Sequence, residues 1–401
     1  MTPFYRSQPT RATFTRLSGV LVVLLLAGCN APIQVKSTTY TPLQQQNAII
    51  PEAELLDVGV LTFDPGLDDL DEKGEANILP AIRNAEAHYL ATQLTHTIQD
   101  SAAWGAVRLL PSEQVITDVY VSGLIKHSDG EKLELDITVK DTTGKEHYTK
   151  NYEAVASKYA YERRKKLMRD PFQGLFNQIA NDLVAWRQQL NSQRAVDIRT
   201  ISTLRFARDF SPEAFAQHLE ADRKGRLSIA RLPAENDPIL SRLQPLRERD
   251  YLYVDTVQEY YDAFSQQMQE PYQTWRAESY DEVMAARQLK RQSLQRTAGG
   301  VAVILAGIAA SGSNSGAARA SGAVAIGSSA LLVKSGLGKR AEAQIHVEAL
   351  AELGQSLEAE VEPRVIDLED QTITLTGNVQ MQYQQWREIL RKIYLSERGE
   401  L

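Results

Sequence analysis

The amino-acid sequence predicts an α+β fold. A small N-terminal α/β domain precedes a mostly helical region with a long antiparallel helical hairpin, and a short C-terminal β-hairpin plus helix follows. Residues 133–139 alternate apolar and polar side chains, which is the two-residue period of a half-buried strand. After Tyr251, apolar residues recur at steps of three and four, which is the period of one helix face. The 401 residues suffice for two domains and an extended element.

The N-terminus has the pattern of a secretory signal. Three arginines and no acidic residue precede the short apolar run at residues 20–26. That run is about half of the roughly 20 residues needed to cross a bilayer. The one cysteine of the chain, Cys29, follows Leu26, Ala27 and Gly28, and this tetrapeptide resembles the lipobox of bacterial lipoproteins. The resemblance implies cleavage before Cys29 and acylation of its thiol and its new amino group.

We therefore expect residues 1–28 to be a removed signal peptide and Cys29 to carry the lipid that attaches the protein to a membrane. Several acyl chains, at about 0.8 kcal/mol per buried CH2, give a stable anchor. Asn30 follows the cysteine, where an Asp would retain an enterobacterial lipoprotein in the inner membrane. This favours the outer membrane, with the body in the periplasm or, alternatively, exposed on the cell surface.

Residues 29–51 are polar and show no period, which predicts a flexible tether. Residues 52–157 are predicted to form an α/β docking domain, in which Pro80 lies in the first turn of a helix. The predicted elements of this domain are a strand at 54–63, a helix at 80–98, and strands at 104–110, 118–125, 133–139 and 146–155.

The order of these elements, the opening strand at 58–63 and the Trp104-Gly105 entry to the second strand carry a second resemblance. They are similar to the small periplasmic α/β domain shared by the curli secretion lipoprotein and the amino-terminal domain of the Tol-system β-propeller protein. The resemblance implies docking to envelope partners or assembly into a ring, rather than catalysis.

A helical and mixed middle region is predicted for residues 158–250, and a long helical hairpin for residues 251–362. Pro271 is predicted to kink or interrupt the first arm of the hairpin. Small and apolar residues dominate the hairpin tip at 299–334. Residues 363–401 are predicted to form a β-hairpin and a C-terminal helix.

Alanines 302, 306 and 310 place a stripe of small side chains on the first tip helix, which lets two helix backbones approach closely. The tip resembles the glycine-zipper hairpins of envelope lipoproteins, although its glycines do not repeat at strict four-residue spacing. A buried hairpin in a soluble or oligomeric core, insertion into a bilayer, and a disordered linker are the three interpretations. The predicted contact surface comprises Val301, Ile304, Leu305, Ile308, Val324, Leu331 and Leu332.

The sequence contains no motif that predicts catalysis. Its six histidines lack metal-ligand spacing, and neither a nucleophile elbow nor a phosphate-binding loop is present. A net charge of −7 argues against a nucleic-acid partner and against broad electrostatic adhesion to anionic lipid, so we expect membrane attachment to come from acyl chains and not from a basic patch. We therefore expect no catalytic residue, no metal and no cofactor, and a protein that is not an enzyme.

The leading functional hypothesis is a lipid-anchored, non-enzymatic component of an outer-membrane or periplasmic assembly or export system. Such a component would self-associate or dock to other envelope proteins. The alternative is a monomeric periplasmic adaptor or activator that binds an envelope enzyme or peptidoglycan. Both hypotheses include membrane attachment through the N-terminal acyl chains.

Overall fold

The computed structural model describes residues 33–36, 40–67, 80–161, 170–297, 348–355, 364–368 and 371–399. Its central element is a mixed sheet with the strand order β1-β6-β5-β4-β2-β3. The strands are β1 (Ile33–Lys36), β2 (Val58–Leu61), β3 (Val107–Leu110), β4 (Val119–Ser128), β5 (Lys132–Asp141) and β6 (Glu146–Val155). Strand β2 is parallel to β3 and β4, β1 is parallel to β6, and β5 is antiparallel to both of its neighbours.

Alternation along β5 explains why the sheet has one apolar and one polar face. Leu133, Leu135 and Ile137 are fully buried on one side, whereas Glu134 and Asp136 are half-buried on the other. Helices α1 (Pro80–Asp100) and α2 (Gln173–Gln188) pack against the strands and contribute to the same apolar core. The predicted α+β class is confirmed.

Two helices and a small β-hairpin connect this layer to the long helix that follows. Helix α3 (Ser192–Phe210) is capped by Asn191, whose side chain accepts a hydrogen bond from the Arg194 N–H. Helix α4 (Pro212–Phe215) then begins with proline in its first turn. The small antiparallel hairpin of β7 (Leu219–Ala221) and β8 (Leu227–Ile229) follows.

The long helix α5 (Pro238–Thr297) has 60 residues, about 90 Å at 1.5 Å per residue. It begins before the predicted hairpin start at 251, because the Asp237 carboxylate accepts hydrogen bonds from the N–H groups of Ile239 and Leu240. The predicted interruption at Pro271 is absent from this described helix. Met268 and Tyr272, on either side of Pro271, are fully buried, and we infer that their packing offsets the lost backbone hydrogen bond.

The C-terminal elements follow the prediction. Strands β9 (Arg364–Leu368) and β10 (Gln371–Leu375) pair antiparallel, and helix α6 (Val379–Glu397) closes the described chain. The side chain of Asn378 caps α6 by accepting from the Met381 N–H at 2.9 Å.

Part of the predicted return arm of the hairpin is described. Residues 348–355 are helical, and Leu350 is fully buried. A Cβ atom added at Gly354 would lie 3.0 Å from the Ala81 carbonyl oxygen, so this stretch lies directly against α1. The hairpin tip at 299–334 lies outside the described residues, as do Cys29 and all seven residues of the predicted contact surface.

The segment before β2 differs from the predicted flexible tether. Strand β1 belongs to the sheet, and residues 40–46 lie along α2. The side-chain amides of Asn177 and Asn181 donate to the carbonyl oxygens of Thr41 and Pro42, at 2.8 and 2.9 Å. These bonds are made to backbone atoms, so no hydrophobic period in the sequence indicates them.

One contiguous cluster of buried side chains joins the sheet, α1, α2, α3, α5 and α6. The cluster therefore crosses the predicted boundaries at 157/158 and 250/251, and the division into domains stays a prediction. None of the helices that the structure describes is both long and apolar enough to cross a membrane.

Candidate functional site

Two aspartates meet where the parallel strands begin. Asp57 directly precedes β2 and Asp118 directly precedes β4, so the parallel pairing of these strands places the two residues side by side. The Asp57 N–H donates to Asp118 Oδ2 at 2.9 Å, while Asp57 Oδ1 accepts from the Ala106 N–H at 2.8 Å. The carboxylates thus join the starts of three strands.

A cleft of ≈ 470 Å³ opens beside these aspartates, between α3 and the first turns of α5. We call it the strand-start cleft. Its polar lining includes Asp57, Asp118, Arg199, Asp237, Arg247 and Tyr251. Its volume is within the range of small-molecule sites.

Arg247 of α5 hydrogen-bonds to side chains on two helices beside the strand-start cleft. Its guanidinium donates to the hydroxyls of Ser202 and Thr203 on α3, at 2.5 and 2.9 Å. It also donates to the Tyr251 oxygen at 2.8 Å, and the Tyr251 hydroxyl in turn donates to the Ile116 carbonyl at 3.0 Å. The arginine therefore connects α5 to α3 and, through Tyr251, to the loop before β4.

Burial in the strand-start cleft raises the pKa values of Asp118 and Tyr251. Asp118 is 2 % exposed, and burial raises its pKa, although the nearby charge of Arg247 acts in the opposite direction. Burial also raises the pKa of Tyr251 to about 12, so its hydroxyl stays protonated near neutral pH. Asp118 Oδ1 is buried and has no hydrogen-bond partner among the described residues.

These contacts suit a structural joint better than a reaction centre. A general acid or base has to reach a substrate proton. Here Asp57 Oδ1, Asp118 Oδ2 and the Arg247 guanidinium are directed at neighbouring backbone and side-chain groups of the fold, which leaves Asp118 Oδ1 as the carboxylate oxygen without such a partner. Within the described parts of the chain, no group of three or more metal-ligating side chains converges.

The predicted site residues, Cys29 and the contact surface at the tip, are outside the described residues, so the structure does not relate them to this cleft. Sequence reasoning missed Asp57, Asp118, Arg247 and Tyr251. One available signal was an aspartate immediately before each of the apolar runs that begin at Val58 and Val119. Arg247 belongs to an ordinary charged run, and nothing in that run distinguishes it from its neighbours.

A second polar cluster attaches the middle of α5 to the body. The Arg276 side chain is fully buried, donates to Asp170 Oδ2 at 2.8 Å, and stacks 4.0 Å from the centre of the Tyr272 ring. The Tyr272 hydroxyl donates to Glu86 of α1 at 2.6 Å, and Glu86 also accepts from Ser128. This network joins α1, β4 and α5 in the interior.

The His88 side chain of α1 packs against α5, and we expect it to make the packing of these helices sensitive to pH. The His88 ring stacks on Tyr261, with the ring centres 5.6 Å apart, and meets the edge of Phe264. Burial lowers the pKa of His88 from 6.5 to about 4. The folded state thus favours the neutral ring, and its contribution to stability is complete above pH 6.5.

We expect this contribution to be lost as the pH falls from 6.5 through about 4, by about 1–3 kcal/mol. Urea unfolding at several pH values measures the loss, and a His88→Phe variant should be flatter over the same interval. Phe264→Leu provides the control, because it alters the packing around the His88 ring without removing a titratable group and should retain the slope of the wild type. Equal slopes for wild type and His88→Phe would contradict the assignment.

Comparisons with known proteins found no matching family model, no matching curated protein and no matching solved structure. The resemblances to the lipobox, to the small periplasmic α/β domain and to the glycine zipper therefore stay predictions. Function has to be inferred from the residues and the geometry of this chain.

Proposed function

We propose that this protein is a non-enzymatic, lipid-anchored component of a cell-envelope assembly that docks to itself or to other envelope proteins. The observation that carries the proposal is the way α5 is attached. Near its start, Asp255 pairs with Arg108 of β3 at 2.5 Å. Thirty-two residues later, Arg287 pairs with Glu131 beside β5.

These two contacts mark the ends of about 48 Å of helix that lies along the body, and buried side chains between them, among them Phe264 and Tyr272, stabilise the attachment. The helix then continues to Thr297, directly before the small-residue segment at 299–334. A helix fixed at two distant points has a defined direction up to its last described residue, Thr297. That arrangement suits a segment whose role is to meet a partner at a set position.

The Cys29 anchor supports a membrane-bound location, and the polar contacts of the strand-start cleft support a role without turnover. We expect a Cys29→Ser protein, exported by a signal peptide whose removal does not depend on lipidation, to leave the membrane fraction of a bacterial host and appear in the soluble fraction. The unchanged protein is the control, and a correctly cleaved Cys29→Ser protein that remains with membranes would contradict the acyl anchor.

Assembly is tested on the same unlipidated protein by light scattering, with and without residues 299–334. We expect a discrete oligomer that becomes monomeric when residues 299–334 are deleted. Circular dichroism should show that the body stays folded in both proteins. Monomers in both cases would exclude assembly through the tip and favour the monomeric adaptor instead.

A further inference from the structure

The strand-start cleft has more negative than positive side chains in its lining. Its four carboxylates and two guanidiniums belong to Asp57, Asp118, Asp237, Glu248, Arg199 and Arg247. Arg247 donates to hydroxyl groups, and Arg199 donates to the Leu55 carbonyl oxygen. Among the described residues, neither guanidinium forms an ion pair with a carboxylate of the cleft. The cleft therefore favours a cationic ligand over an anionic one.

One buried carboxylate oxygen of this lining lacks a hydrogen-bond donor. Asp118 is 2 % exposed, and its Oδ2 accepts from the Asp57 N–H, whereas Oδ1 has no hydrogen-bond partner among the described residues. Arg247 and the Ser202 hydroxyl favour the charged form of Asp118, but neither meets Oδ1 with the geometry of a hydrogen bond. A buried acceptor without a donor is costly, so a ligand that supplies the donor gains affinity.

Asp57 adds a second, more accessible carboxylate beside Asp118. Its side chain is 20 % exposed, and its Oδ2 has only a long ion contact of 4.0 Å with Arg108 Nη1, beyond hydrogen-bond distance. A primary ammonium group carries three N–H donors, so it can serve both aspartates together. Strand pairing holds the two residues side by side before the ligand arrives.

The other part of the lining is apolar. The Phe206 and Leu243 side chains are buried, and Leu240 is half-buried beside them. A ligand that carries an apolar body next to its cation would remove this surface from water on binding. The volume of ≈ 470 Å³ leaves room for such a molecule.

We propose that the strand-start cleft binds a small organic cation, namely a primary amine with a short apolar body, whose ammonium group donates to the Asp57–Asp118 pair. The apolar body packs against the side of the cleft that Phe206 and Leu240 line. The ligand thereby contacts the strand starts, α3 and the first turns of α5. The site is one of binding without turnover, and the inference does not depend on the acyl anchor.

The test uses residues 29–401 with Cys29→Ser, and isothermal titration calorimetry measures the binding of phenethylamine and butylamine. Phenethyl alcohol and 3-phenylpropanoate present a similar apolar body with a neutral or an anionic head. We expect saturable binding of at least one amine, and binding of the alcohol and the acid that is weaker than that of phenethylamine by about tenfold or more. Equal affinity for phenethylamine and the alcohol, tighter binding of the acid, or no saturable binding of either amine would overturn the proposal.

An isosteric variant tests the aspartate directly. Asp118→Asn replaces the unpartnered oxygen by a group that cannot hold an ammonium ion, and it should weaken amine binding by about tenfold or more. The matched control, Asp197→Asn, removes the same charge from α3 outside the cleft and should leave the affinity unchanged. Equal amine affinities of the two variants would contradict the role of Asp118.

A second pair of variants keeps the test decisive if Asp118→Asn does not fold. Ala234 lines the cleft from an exposed position, so a larger side chain there can fill the cleft without entering the core. Ala234→Trp should therefore abolish amine binding, whereas Ala216→Trp, at an exposed position outside the cleft, should retain it. Circular dichroism verifies the fold of each protein. Full amine affinity in a folded Ala234→Trp protein would place the amine elsewhere and overturn the proposal.

Discussion

Replacing Arg276 by alanine is expected to destabilise the protein by about 3–5 kcal/mol, because removing one partner of a buried ion pair leaves the other charge uncompensated. Asp170 is 7 % exposed in its side chain and would lose its cationic partner. Tyr272 would also lose the guanidinium that stacks on its ring. Urea unfolding followed by circular dichroism measures the change in the free energy of unfolding.

An exposed pair provides the comparison for this result. Arg226 and Asp222 lie 2.7 Å apart, but their side chains are 46 % and 41 % exposed. Removing Arg226 should therefore cost only about 0–1 kcal/mol. A similar loss for Arg276→Ala and Arg226→Ala would show that the buried network contributes nothing special to the attachment of α5.

The second large effect is expected at Gly130, in the turn between β4 and β5. A Cβ atom there would lie 2.0 Å from the Arg276 carbonyl oxygen and 2.3 Å from the Tyr280 nitrogen. Both are backbone atoms of α5, so neither can move aside as a flexible side chain would. Gly130→Ala should push the helix from the turn and destabilise the protein by about 1–3 kcal/mol or more.

Ser279→Ala separates the clash from the lost hydrogen bond, because the Gly130 N–H donates to the Ser279 hydroxyl at 3.1 Å. Without added bulk, this variant should cost about 1 kcal/mol. Hydrogen exchange along α5 would localise the difference, with faster exchange near residue 276 in Gly130→Ala alone. Equal stability of Gly130→Ala and wild type would show that α5 is not held closely at this turn.

The sequence predicted the sheet well because β5 and its neighbours have a strong two-residue period. Leu133, Leu135 and Ile137 all face the core, as that period requires. The predicted start of the long helix, at residue 251, is later than the observed start of α5 at Pro238. Asp237 and Pro238 form a good helix start, but they lie in a loop-like stretch that precedes the clear apolar stripe.

The candidate site was harder to predict because its residues come from distant parts of the chain. Asp57 and Asp118 are brought together by strand pairing, and Arg247, on a helix more than a hundred residues later, lines the same cleft. The attachment of residues 40–46 depends on Asn177 and Asn181 bonding to backbone carbonyls. Periodicity reports apolar faces, so it contains no information on either arrangement.

The course of α5 has a consequence for solubility. Strand β3 is the last in the sheet order and pairs only with β2, so its outer backbone would be an open template for a strand of another chain. Gln258 of α5 accepts a hydrogen bond from the Leu109 N–H, and Asp255 holds Arg108 on the same strand. Helix α5 thereby also protects this strand from edge-to-edge aggregation. If α5 detached from the body, the edge of β3 would be free to pair with a strand of another chain.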